Sequence, residues 1–538
     1  MYQFNLTESL IPPQQDTDVR ETTVGGLLRD VTAAHGGRLA LVEIGMDGQA
    51  ARRWSYAALL AEAERLALAL STRFKPGERI CVWSPNTPEW VLMEYACGLA
   101  GLVLVTANPA YQVKELRYVL EQSRSVALFL VQAYRGNPMA EIGAQAVDGL
   151  DSIREIIDLD DAVALFRADG EGALPVVSAG DAAQIQYTSG TTGFPKGAVL
   201  PHRALTNNAR MFDDRCGLTD TSVLANFMPM FHTSGCGMAT LGALQRAIPM
   251  VLFKVFDPVA VLKTIASERV SAFVAVPTML VAMLDVLKVE DHDVSSLEVI
   301  TSGGSMVPPE LVRNVTDAMG CAFQTVYGQT ETAPLISQHH LGETLDDICN
   351  TIGQPMPQTA VSIRSVDENA VVPVGVQGEI CVSGYCLMLE YNDNPEATTA
   401  TIDKNGWLHT GDLGTMDARG YLKITGRVKE MIIRGGENFF PAEIETVLHE
   451  HPSVSEVAVV GLPDERWGEV IACFVKLEAG ETLDVADLRG HCRTHMAPQK
   501  TPAVWVQVSE FPLTGSGKIQ KFALRDGFVD GVYKAFQA

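Results

Sequence analysis

The chain has 538 residues, of which 47% are hydrophobic and 20% charged, so it is long enough for two or more domains and its composition excludes wholesale disorder. Its 65 acidic residues against 41 lysines and arginines give a formal net charge of −24, which argues against nucleic acid or an anionic membrane as the main partner. Ten scattered cysteines without C-x-x-C pairs indicate reduced core thiols. Because no export signal or bilayer-spanning stretch is visible, we expect a cytoplasmic protein.

Short apolar runs alternate with longer amphipathic runs from about residue 39 to 131, and again from 198 to about 336. This alternation is typical of layered α/β units with largely parallel sheets, so we expect one sheet-and-helix subdomain in each range. Short strands with glycine breaks between residues 359 and 421 predict a small β-rich subdomain. We therefore predict a large N-terminal domain over residues 1–428, followed by a small, mobile α+β domain over 429–538 that includes a helix beginning at Pro441.

The segment from Tyr187 to Gly197 reads YTSGTTGFPKG and groups four hydroxyl side chains and three glycines around one lysine. It offers backbone N–H groups, hydroxyl donors and a cation with little steric bulk, a surface that suits a polyphosphate. It is not a P-loop, because Pro195 and Gly197 stand where that motif needs Gly and Ser or Thr. The candidate phosphate contacts are Thr188, Ser189, Gly190, Thr191, Thr192, Gly193 and Lys196.

Four further segments fit the same chemistry, although each by itself is equally typical of a polar loop or a mobile tail. Tyr327 to Thr332 (YGQTET) combines an aromatic face, a glycine and an acid that can hold a divalent cation. Thr410 to Asp412 (TGD), just before a predicted strand, offers an acid to ribose hydroxyls. Gly426 to Glu445 contains three cations and two adjacent glycines near a predicted hinge, and Pro512 to Lys521 presents Lys518 on a glycine-rich loop.

In this order and at this spacing, the five segments resemble the signature of the adenylate-forming superfamily, which comprises acyl-CoA synthetases, carrier-protein adenylation domains and beetle luciferases. The resemblance extends over essentially the whole chain. Within the superfamily, FHTSGCGM (Phe231 to Met238) and IIRGGENFFPAEIE (Ile432 to Glu445) are most similar to the fatty-acyl and related carboxylate CoA ligases.

The resemblance implies a two-step reaction with ATP, Mg²⁺ and coenzyme A. A carboxylate attacks the α-phosphorus of ATP and pyrophosphate leaves; the thiol of coenzyme A then attacks the acyl-adenylate and AMP leaves. Since two anions must meet in the first step, positive charge is required, and Lys518 and a Mg²⁺ ion at Glu331 would supply it. Thr188 and His232, the latter steering the carboxylate, complete the implied catalytic set. The implied ATP contacts outside the phosphate segment are Gly303, Gly304, Ser305, Tyr327, Gly328, Gln329, Thr330, Asp412, Arg427 and Lys518.

The resemblance also implies that the C-terminal domain rotates about Lys429 between the two steps. In one orientation Lys518 enters the site. In the other, Gly435, Gly436 and Glu437 would line the channel for the pantetheine arm of coenzyme A. No nucleic acid or integral membrane segment is implied, and the oligomeric state stays open, with a homodimer among the alternatives.

The acyl pocket is expected to be mostly apolar, so we expect a hydrophobic carboxylic acid, with a medium-chain fatty acid as the best single choice. Gly235, Gly237 and Ala333 are expected to leave room for chain length, or for a branched, alicyclic, steroid-like or aryl body. No cation at these positions would pair with a second carboxylate. The pocket residues are Met230, Phe231, His232, Ser234, Gly235, Met238, Gly303, Val326 and Ala333.

Competing functions share parts of this pattern. Acyl transfer to a carrier protein and luciferase-like oxygen chemistry both begin with the same adenylation step. A non-catalytic nucleotide sensor on the same fold is less consistent with the presence of both Glu331 and Lys518. A hydrolase is not favoured, because no G-x-S-x-G motif surrounds Ser234, Ser302 or Ser305.

Overall fold

The computed structural model describes residues 1–188, 195–434, 437–464, 466–513 and 519–536. Within these ranges helices and strands alternate along most of the chain and form four sheets, which confirms the expected α/β class with a large N-terminal part and a small α+β part after it. The strands are β1 (Leu10–Ile11), β2 (Leu39–Ile44), β3 (Ala50–Ser55), β4 (Arg79–Trp83), β5 (Val103–Ala107), β6 (Ala127–Leu130), β7 (Glu155–Asp158), β8 (Ala182–Thr188), β9 (Lys196–Pro201), β10 (Leu224–Asn226), β11 (Met250–Phe253), β12 (Ala272–Ala275), β13 (Val299–Gly303), β14 (Ala322–Gly328), β15 (Leu335–Gln338), β16 (Gln354–Pro355), β17 (Thr359–Arg364), β18 (Gly378–Gly384), β19 (Glu390–Tyr391), β20 (Leu408–Met416), β21 (Leu422–Arg427), β22 (Ile432–Arg434), β23 (Glu437–Phe439), β24 (Val454–Asp464), β25 (Gly468–Leu477) and β26 (Val504–Gln507).

Helices connect most of the strands of the two large sheets. They are α1 (Val24–His35), α2 (Tyr56–Ser71), α3 (Pro88–Ala100), α4 (Val113–Ser123), α5 (Met139–Val147), α6 (Ala162–Leu165), α7 (His202–Cys216), α8 (Gly242–Arg246), α9 (Pro258–Glu268), α10 (Pro277–Leu287), α11 (Pro309–Met319), α12 (Leu345–Asn350), α13 (Pro395–Thr401), α14 (Pro441–His449), α15 (Val485–His495) and α16 (Lys521–Val529). A π-helix spans Ser234–Leu241, and short 3₁₀ turns span Thr330–Thr332, Val428–Glu430 and Pro498–Lys500.

The seven-stranded sheet has the order β19-β9-β8-β5-β4-β6-β7, and the strands from β8 to β7 are parallel. β5 and β6 are buried at every position, as expected for strands covered by helices on both faces. β9 and β19 run antiparallel at one edge. The two ends of the phosphate segment therefore lie on neighbouring strands, β8 and β9.

The nine-stranded sheet has the order β16-β15-β14-β13-β12-β10-β11-β2-β3. Its six central strands, from β14 to β2, are parallel. Residues 39–55 were expected in the first subdomain, and that assignment is wrong, because β2 pairs with β11 and carries β3 with it. An apolar run predicts a strand but contains no information about its partner, since parallel neighbours are joined by long crossovers.

The two large sheets share one core, since a single apolar cluster includes residues of β2, β5, β10 and β12 together with α2, α3 and α7. Its largest fully buried side chains include Trp83, Trp90, Phe129 and Phe212. All ten cysteines are buried and unpaired. Among the described residues, no helix has both the length and the apolar character that crossing a bilayer requires. The cytoplasmic location and the homodimer stay predictions.

The third sheet is antiparallel, with the order β1-β17-β18-β20-β21. It contains the expected β-rich region and, in addition, a short strand near the N-terminus, with Leu10 opposite Ser362. The fourth sheet has the order β23-β22-β25-β24, with β26 parallel to β25. Separate apolar clusters on its two faces pack against α14 and α15 on one side and α16 on the other. The boundary between residues 428 and 429, and the rotation of the second domain, stay predictions.

Candidate active site

An acid, a phenol and a guanidinium meet where the nine-stranded sheet adjoins the antiparallel sheet. The Tyr327 hydroxyl donates to Asp412 Oδ2 at 2.8 Å, and Arg427 Nε donates to Asp412 Oδ1 at 2.9 Å. Asp412 and Tyr327 are buried, whereas the Arg427 side chain is 47% exposed. Burial, reinforced by the Asp412 carboxylate, raises the pKa of Tyr327, so the phenol remains a donor. We call Tyr327, Asp412 and Arg427 the ribose corner.

Thr410 to Asp412 lies within β20, and the expectation that it precedes a strand is wrong. The pairing of β18 with β20 slips between Glu379 and Cys381, and Gly411 adopts a left-handed φ of 73°. The segment is thus a bulge inside a strand. A bulge locally breaks the pairing and can re-aim a side chain, which explains why the alternating pattern of this region did not reveal the strand.

A cation and an acid lie on either side of one tyrosine near the edge of the seven-stranded sheet. The Tyr391 hydroxyl donates to Glu331 Oε1 at 2.6 Å, and Lys196 Nζ lies 4.8 Å from the centroid of the Tyr391 ring. Glu331 is buried. Burial, together with the Glu331 carboxylate, raises the pKa of Tyr391. We call Lys196, Tyr391 and Glu331 the phosphate corner.

The two ends of the phosphate segment face each other across β8 and β9. Thr188 is the register partner of Lys196, and its hydroxyl donates to the Lys196 carbonyl at 3.4 Å. The backbone N–H of Asn392 donates to the Gly197 carbonyl at 2.7 Å, which ties this hairpin to the strand of Tyr391. The remaining predicted contacts of this segment lie outside the described residues: Ser189, Gly190, Thr191, Thr192 and Gly193.

The turn that carries Glu331 is closed by backbone and side-chain bonds. Gln329 N–H donates to the Pro334 carbonyl at 2.9 Å, and the Thr332 hydroxyl donates to the same carbonyl at 2.6 Å. A Cβ atom at Gly328 would lie 1.9 Å from this oxygen, so only glycine fits there. Thr330 is buried in the same turn. The Glu331 carbonyl accepts from Met388 N–H at 2.8 Å, which fixes the turn against the chain that leads to Tyr391.

Three of the predicted ATP contacts, Gly303, Gly304 and Ser305, lie at or just after the carboxyl end of β13. Gly303 pairs with Val326, directly before Tyr327, and a Cβ atom at Gly303 would lie 2.5 Å from the Val326 carbonyl oxygen. Gly304 has a left-handed φ of 80°. Gly304 and Ser305 are exposed. The structure therefore brings these residues next to the ribose corner.

The predicted acyl-pocket residues belong largely to one apolar cluster, which contains Met230, Met238, Val326 and Ala333. The segment leading into the π-helix is anchored by Asn86, whose side chain donates to the Met228 carbonyl at 2.9 Å and accepts from Met230 N–H at 2.8 Å. Phe231 is half-buried, while Ser234 is buried. A π-helix is uncommon and is often found at functional sites.

His232 is exposed just before the π-helix, and its Nδ1 atom lies 3.2 Å from the Ser234 hydroxyl. The nearby glycines differ. A Cβ atom at Gly235 would lie 2.3 Å from the Pro229 carbonyl oxygen, whereas at Gly237 the nearest atoms are 3.8 Å away. The expectation that Gly235 leaves room for substrate is therefore wrong, because backbone occupies that space. Of the two glycines, only Gly237 has room for an added methyl group, which would make ordinary van der Waals contacts. The room expected at Gly237 and Ala333 for substrate stays a prediction.

Lys429 is exposed in the 3₁₀ turn that follows β21 and lies two residues after Arg427. Beyond it, Lys521 Nζ forms ion pairs at 2.8 Å with Glu430 and with Glu445, linking the start of α16 to this turn and to α14. Lys518, Gly435 and Gly436 lie outside the described residues, as does the Glu437 side chain.

Sequence reasoning missed two residues at this site, Tyr391 and Glu379. Tyr391 bridges Lys196 and Glu331, and Glu379 contacts the bulge that carries Asp412. Tyr391 lies in a short strand before a helix that begins with proline, and Glu379 is the second residue of a GEI run. Neither residue lies in a segment whose composition is typical of a phosphate-binding loop or an acidic site. Only their contacts in the folded structure identify the two residues.

Comparisons with known proteins agree with this arrangement. The AMP-binding enzyme family matches residues 28–392, and the AMP-binding enzyme C-terminal domain matches residues 443–518. The putative acyl-CoA synthetase YngI of Bacillus subtilis is 34% identical over 95% of this chain and 97% of its own length. The human mitochondrial medium-chain acyl-CoA ligase ACSF2 is 34% identical over 94% of this chain and 87% of its own. The crystal structure of ATP-bound MatB from Rhodopseudomonas palustris superimposes with a TM-score of 0.85 at 27% identity, covering 95% of this chain and all of that one.

Proposed function

Because this chain belongs to the family of AMP-binding enzymes and is an AMP-forming acyl-CoA synthetase, we propose that it activates a hydrophobic carboxylic acid, with a medium-chain fatty acid preferred. The carboxylate becomes an acyl-adenylate with release of pyrophosphate, and coenzyme A then replaces AMP. Membership of this enzyme class is inconsistent with the alternative that the chain is a non-catalytic nucleotide sensor.

The observation that carries the proposal is the pair of corners at neighbouring sheet edges. In the ribose corner, Asp412 can accept hydrogen bonds from both ribose hydroxyls, and the Tyr327 ring with Gly303 and Gly304 provides a flat wall for adenine. In the phosphate corner, Lys196 and Glu331 lie on either side of the Tyr391 ring. The two corners lie near the carboxyl ends of strands of two largely parallel sheets, β14 of the nine-stranded sheet and β8 of the seven-stranded sheet, and open α/β sheets bind nucleotides at such ends.

The residues of the phosphate corner fit a hard divalent cation. Glu331 is a buried carboxylate, and Mg²⁺ prefers oxygen ligands of this kind, one or two from the protein and the others from phosphates and water. When bound, Mg²⁺ would neutralise phosphate charge that develops as pyrophosphate leaves. Tyr391 holds Glu331 Oε1 with a hydrogen bond, so the carboxylate keeps one orientation without the ion.

In the first step, a carboxylate oxygen of the acid forms a bond to the α-phosphorus, and the bond from that phosphorus to the bridging oxygen of pyrophosphate breaks. Two anions must approach, so cations at the reacting groups lower the barrier. We assign this role to Lys518 at the α-phosphate and acid, and to Lys196 at the departing phosphates. His232, exposed at the entrance to the π-helix, is placed to orient the carboxylate.

In the second step, the thiol sulfur of coenzyme A bonds to the acyl carbon and the carbon–oxygen bond to AMP breaks. We propose that the domain beginning at Lys429 rotates between the steps, withdrawing Lys518 and presenting Gly435, Gly436 and Glu437 to the pantetheine arm. Lys429 lies two residues after Arg427 of the ribose corner, so a rotation there would leave the bound nucleotide in place.

The acid class is supported by the chemistry of the pocket wall. Met230, Met238, Val326 and Ala333 are apolar and buried in one cluster, which favours a hydrocarbon chain over a second charged group. Gly237 leaves space beside the π-helix. The human relative is named for medium-chain acids, in agreement with this choice.

The decisive experiment measures exchange of labelled pyrophosphate into ATP with acids from acetate through octanoate to palmitate, and with branched, cyclic and aryl acids. Thioester formation is then followed by mass spectrometry after coenzyme A is added. We expect exchange and acyl-CoA to peak at medium chain length. Maximal turnover with an aryl or alicyclic acid would contradict the medium-chain assignment but not the proposed acyl-CoA ligase reaction.

A carrier-protein or oxygen-dependent enzyme would give exchange without acyl-CoA. Absence of exchange with every acid would overturn the proposed function itself. Glu368→Ala, a change at an exposed position far along the β17–β18 connection, serves as the matched surface control and should behave as wild type.

A further inference from the structure

On its β18 side the bulge that carries Asp412 lacks regular pairing, because residues 410–412 lie opposite Ile380 alone, whereas on its other side Asp412 pairs with Arg427 of β21. In the ladder, Cys381 pairs with His409 and Glu379 with Leu413, so β20 has two more residues than β18 between these pairs. Gly411 takes a left-handed conformation within the bulge. On the side that faces β18 no regular ladder holds residues 410–412, so other groups must supply the constraint there.

The side chain of Glu379 supplies it from the facing strand. Glu379 Oε1 accepts from Gly411 N–H at 2.9 Å, and Glu379 Oε2 accepts from His409 Nδ1 at 2.7 Å. Since an ionised carboxylate only accepts, the His409 proton is on Nδ1 in this contact. Glu379 therefore ties two residues of the bulged strand at once.

Thr410 completes the attachment. Its hydroxyl donates to the Ile380 carbonyl at 2.7 Å and accepts from Asp412 N–H at 3.1 Å. His409, Thr410, Gly411 and Asp412 are thus each bound by at least one side-chain contact. Charge-assisted bonds such as those of Glu379 are stronger than neutral ones, so Glu379 contributes most to holding this segment.

From these contacts we propose that Glu379 is a positioning residue for the ribose acid Asp412, acting through Gly411 and His409. This inference rests on the proposed function. Within the described ranges, the Glu379 side chain bonds to Gly411 and His409 and forms no hydrogen bond or ion pair with Asp412 or with another predicted ATP contact. It maintains the backbone from which Asp412 reaches Tyr327 at 2.8 Å and Arg427 at 2.9 Å.

The same three side chains resemble a metal site, because ligand atoms of Glu379, Cys381 and His409 lie within 4.8 Å of one another. The hydrogen bonds favour the positioning role instead. Both carboxylate oxygens of Glu379 already accept N–H donors. Burial also raises the pKa of Cys381, which disfavours the thiolate that a metal would need.

The test compares nucleotides with and without the groups that Asp412 binds. Isothermal titration calorimetry would give the Kd of ATP and of 2′,3′-dideoxy-ATP for wild type, Glu379→Ala, Glu379→Asp, Glu379→Gln and the control Glu368→Ala. Neither acid nor coenzyme A is needed, so failure of this inference is distinct from failure of the ligase function. Thermal unfolding of each variant shows whether it is folded.

We expect Glu379→Ala and Glu379→Asp to weaken ATP binding about tenfold, the order expected for losing a charged hydrogen-bond network. They should weaken dideoxy-ATP binding less than about twofold, because that ligand lacks the hydroxyls that Asp412 accepts from. Glu379→Gln keeps an acceptor for Gly411 N–H and should stay within about threefold of wild type. If Glu379→Ala does not fold, Glu379→Asp and Glu379→Gln carry the comparison.

Equal weakening of both nucleotides would overturn the inference and indicate a merely structural role. Unchanged ATP binding in a folded Glu379→Asp would overturn it as well. Stoichiometric zinc in purified wild-type protein, lost in Glu379→Gln, would replace it with the metal site.

Discussion

The ribose corner and the phosphate corner are built in opposite ways. In the ribose corner, Asp412 directly contacts both Tyr327 and Arg427, so acid and cation form an ion pair before any ligand arrives. In the phosphate corner, Lys196 lies over the Tyr391 ring, and Glu331 accepts a hydrogen bond from the Tyr391 hydroxyl. Among the residues that the structure describes, Lys196 forms no salt bridge.

The ligands that we propose for the two corners account for the difference. Ribose is neutral, and a fixed acid that accepts its hydroxyl protons needs a rigid orientation more than free charge. Triphosphate with a divalent cation brings both signs of charge. An unpaired lysine and an acid held by a neutral phenol leave both charges available, whereas a direct ion pair would have to be broken first. The predictions below test this contrast.

The largest effect is expected at Lys518, a residue that belongs to neither corner. Lys518→Ala should lower the rate of acyl-adenylate formation on the order of 10²- to 10³-fold, the scale for removing one transition-state charge contact. Thioester formation from a supplied acyl-adenylate should change little. Single-turnover assays of the two half-reactions measure both. Equal loss in the two steps would refute the assigned role.

Neutralising the acid of each corner separates their roles. Glu331→Gln should lower adenylation on the order of 10²-fold, because it removes a cation ligand. Asp412→Asn should raise the KM for ATP by about tenfold, because an amide accepts ribose hydroxyls more weakly. Initial rates across Mg²⁺ and ATP concentrations give both values.

Excess Mg²⁺ should partly restore the adenylation rate of Glu331→Gln and leave the kinetics of Asp412→Asn unchanged. The same response to Mg²⁺ in both variants would erase the distinction between the corners.

The bridging tyrosine gives a smaller effect with an internal control. Tyr391→Phe removes the 2.6 Å bond to Glu331 but keeps the ring beside Lys196, and it should lower kcat/KM for ATP by about five- to tenfold. Tyr391→Leu removes both contacts and should lower it further. Steady-state kinetics with both variants measures the contrast. Wild-type kinetics in Tyr391→Phe would show that the hydrogen bond does not orient Glu331.

The smallest effect on activity is expected at the two glycines of the acyl segment. Gly237→Ala meets no atom nearer than 3.8 Å and should fold normally, while altering the preferred acyl chain length. Gly235→Ala places Cβ 2.3 Å from a backbone oxygen and should destabilise the protein by about 1–3 kcal/mol, as overpacking does. Urea unfolding of both variants tests this order. Equal stability would indicate that the segment adjusts its backbone freely.

Local chemistry was readable from the chain because it depends on neighbours in sequence. Proline at the first position of a helix needs no N–H partner, and α14 begins at Pro441 as expected. Apolar runs such as VLVTA became buried strands. Asp412 and Arg427 were chosen because each stands in a short motif, and the structure brings the two side chains together. The roles assigned to Ser189–Gly193, Gly435, Gly436 and Lys518 stay predictions.

Long-range geometry was not readable in the same way. The strand from Leu39 to Ile44 was assigned to the wrong unit, since its pairing partner lies more than 200 residues away. The room expected at Gly235 is filled by the backbone of Pro229, a fact about packing that the residue type does not express. Tyr391 was overlooked because its importance comes from Lys196 and Glu331, which are distant in sequence.

The sequence by itself determined the family, the α/β class and the chemical groups available to a nucleotide, because motif order and residue type are local properties. Tertiary structure alone decided that Tyr391 bridges the phosphate corner and that Glu379 holds the bulge of Asp412. The first depends on a 2.6 Å hydrogen bond between β19 and the 3₁₀ turn of Glu331, and the second on a 2.9 Å hydrogen bond between the paired strands β18 and β20. No single segment contains that information.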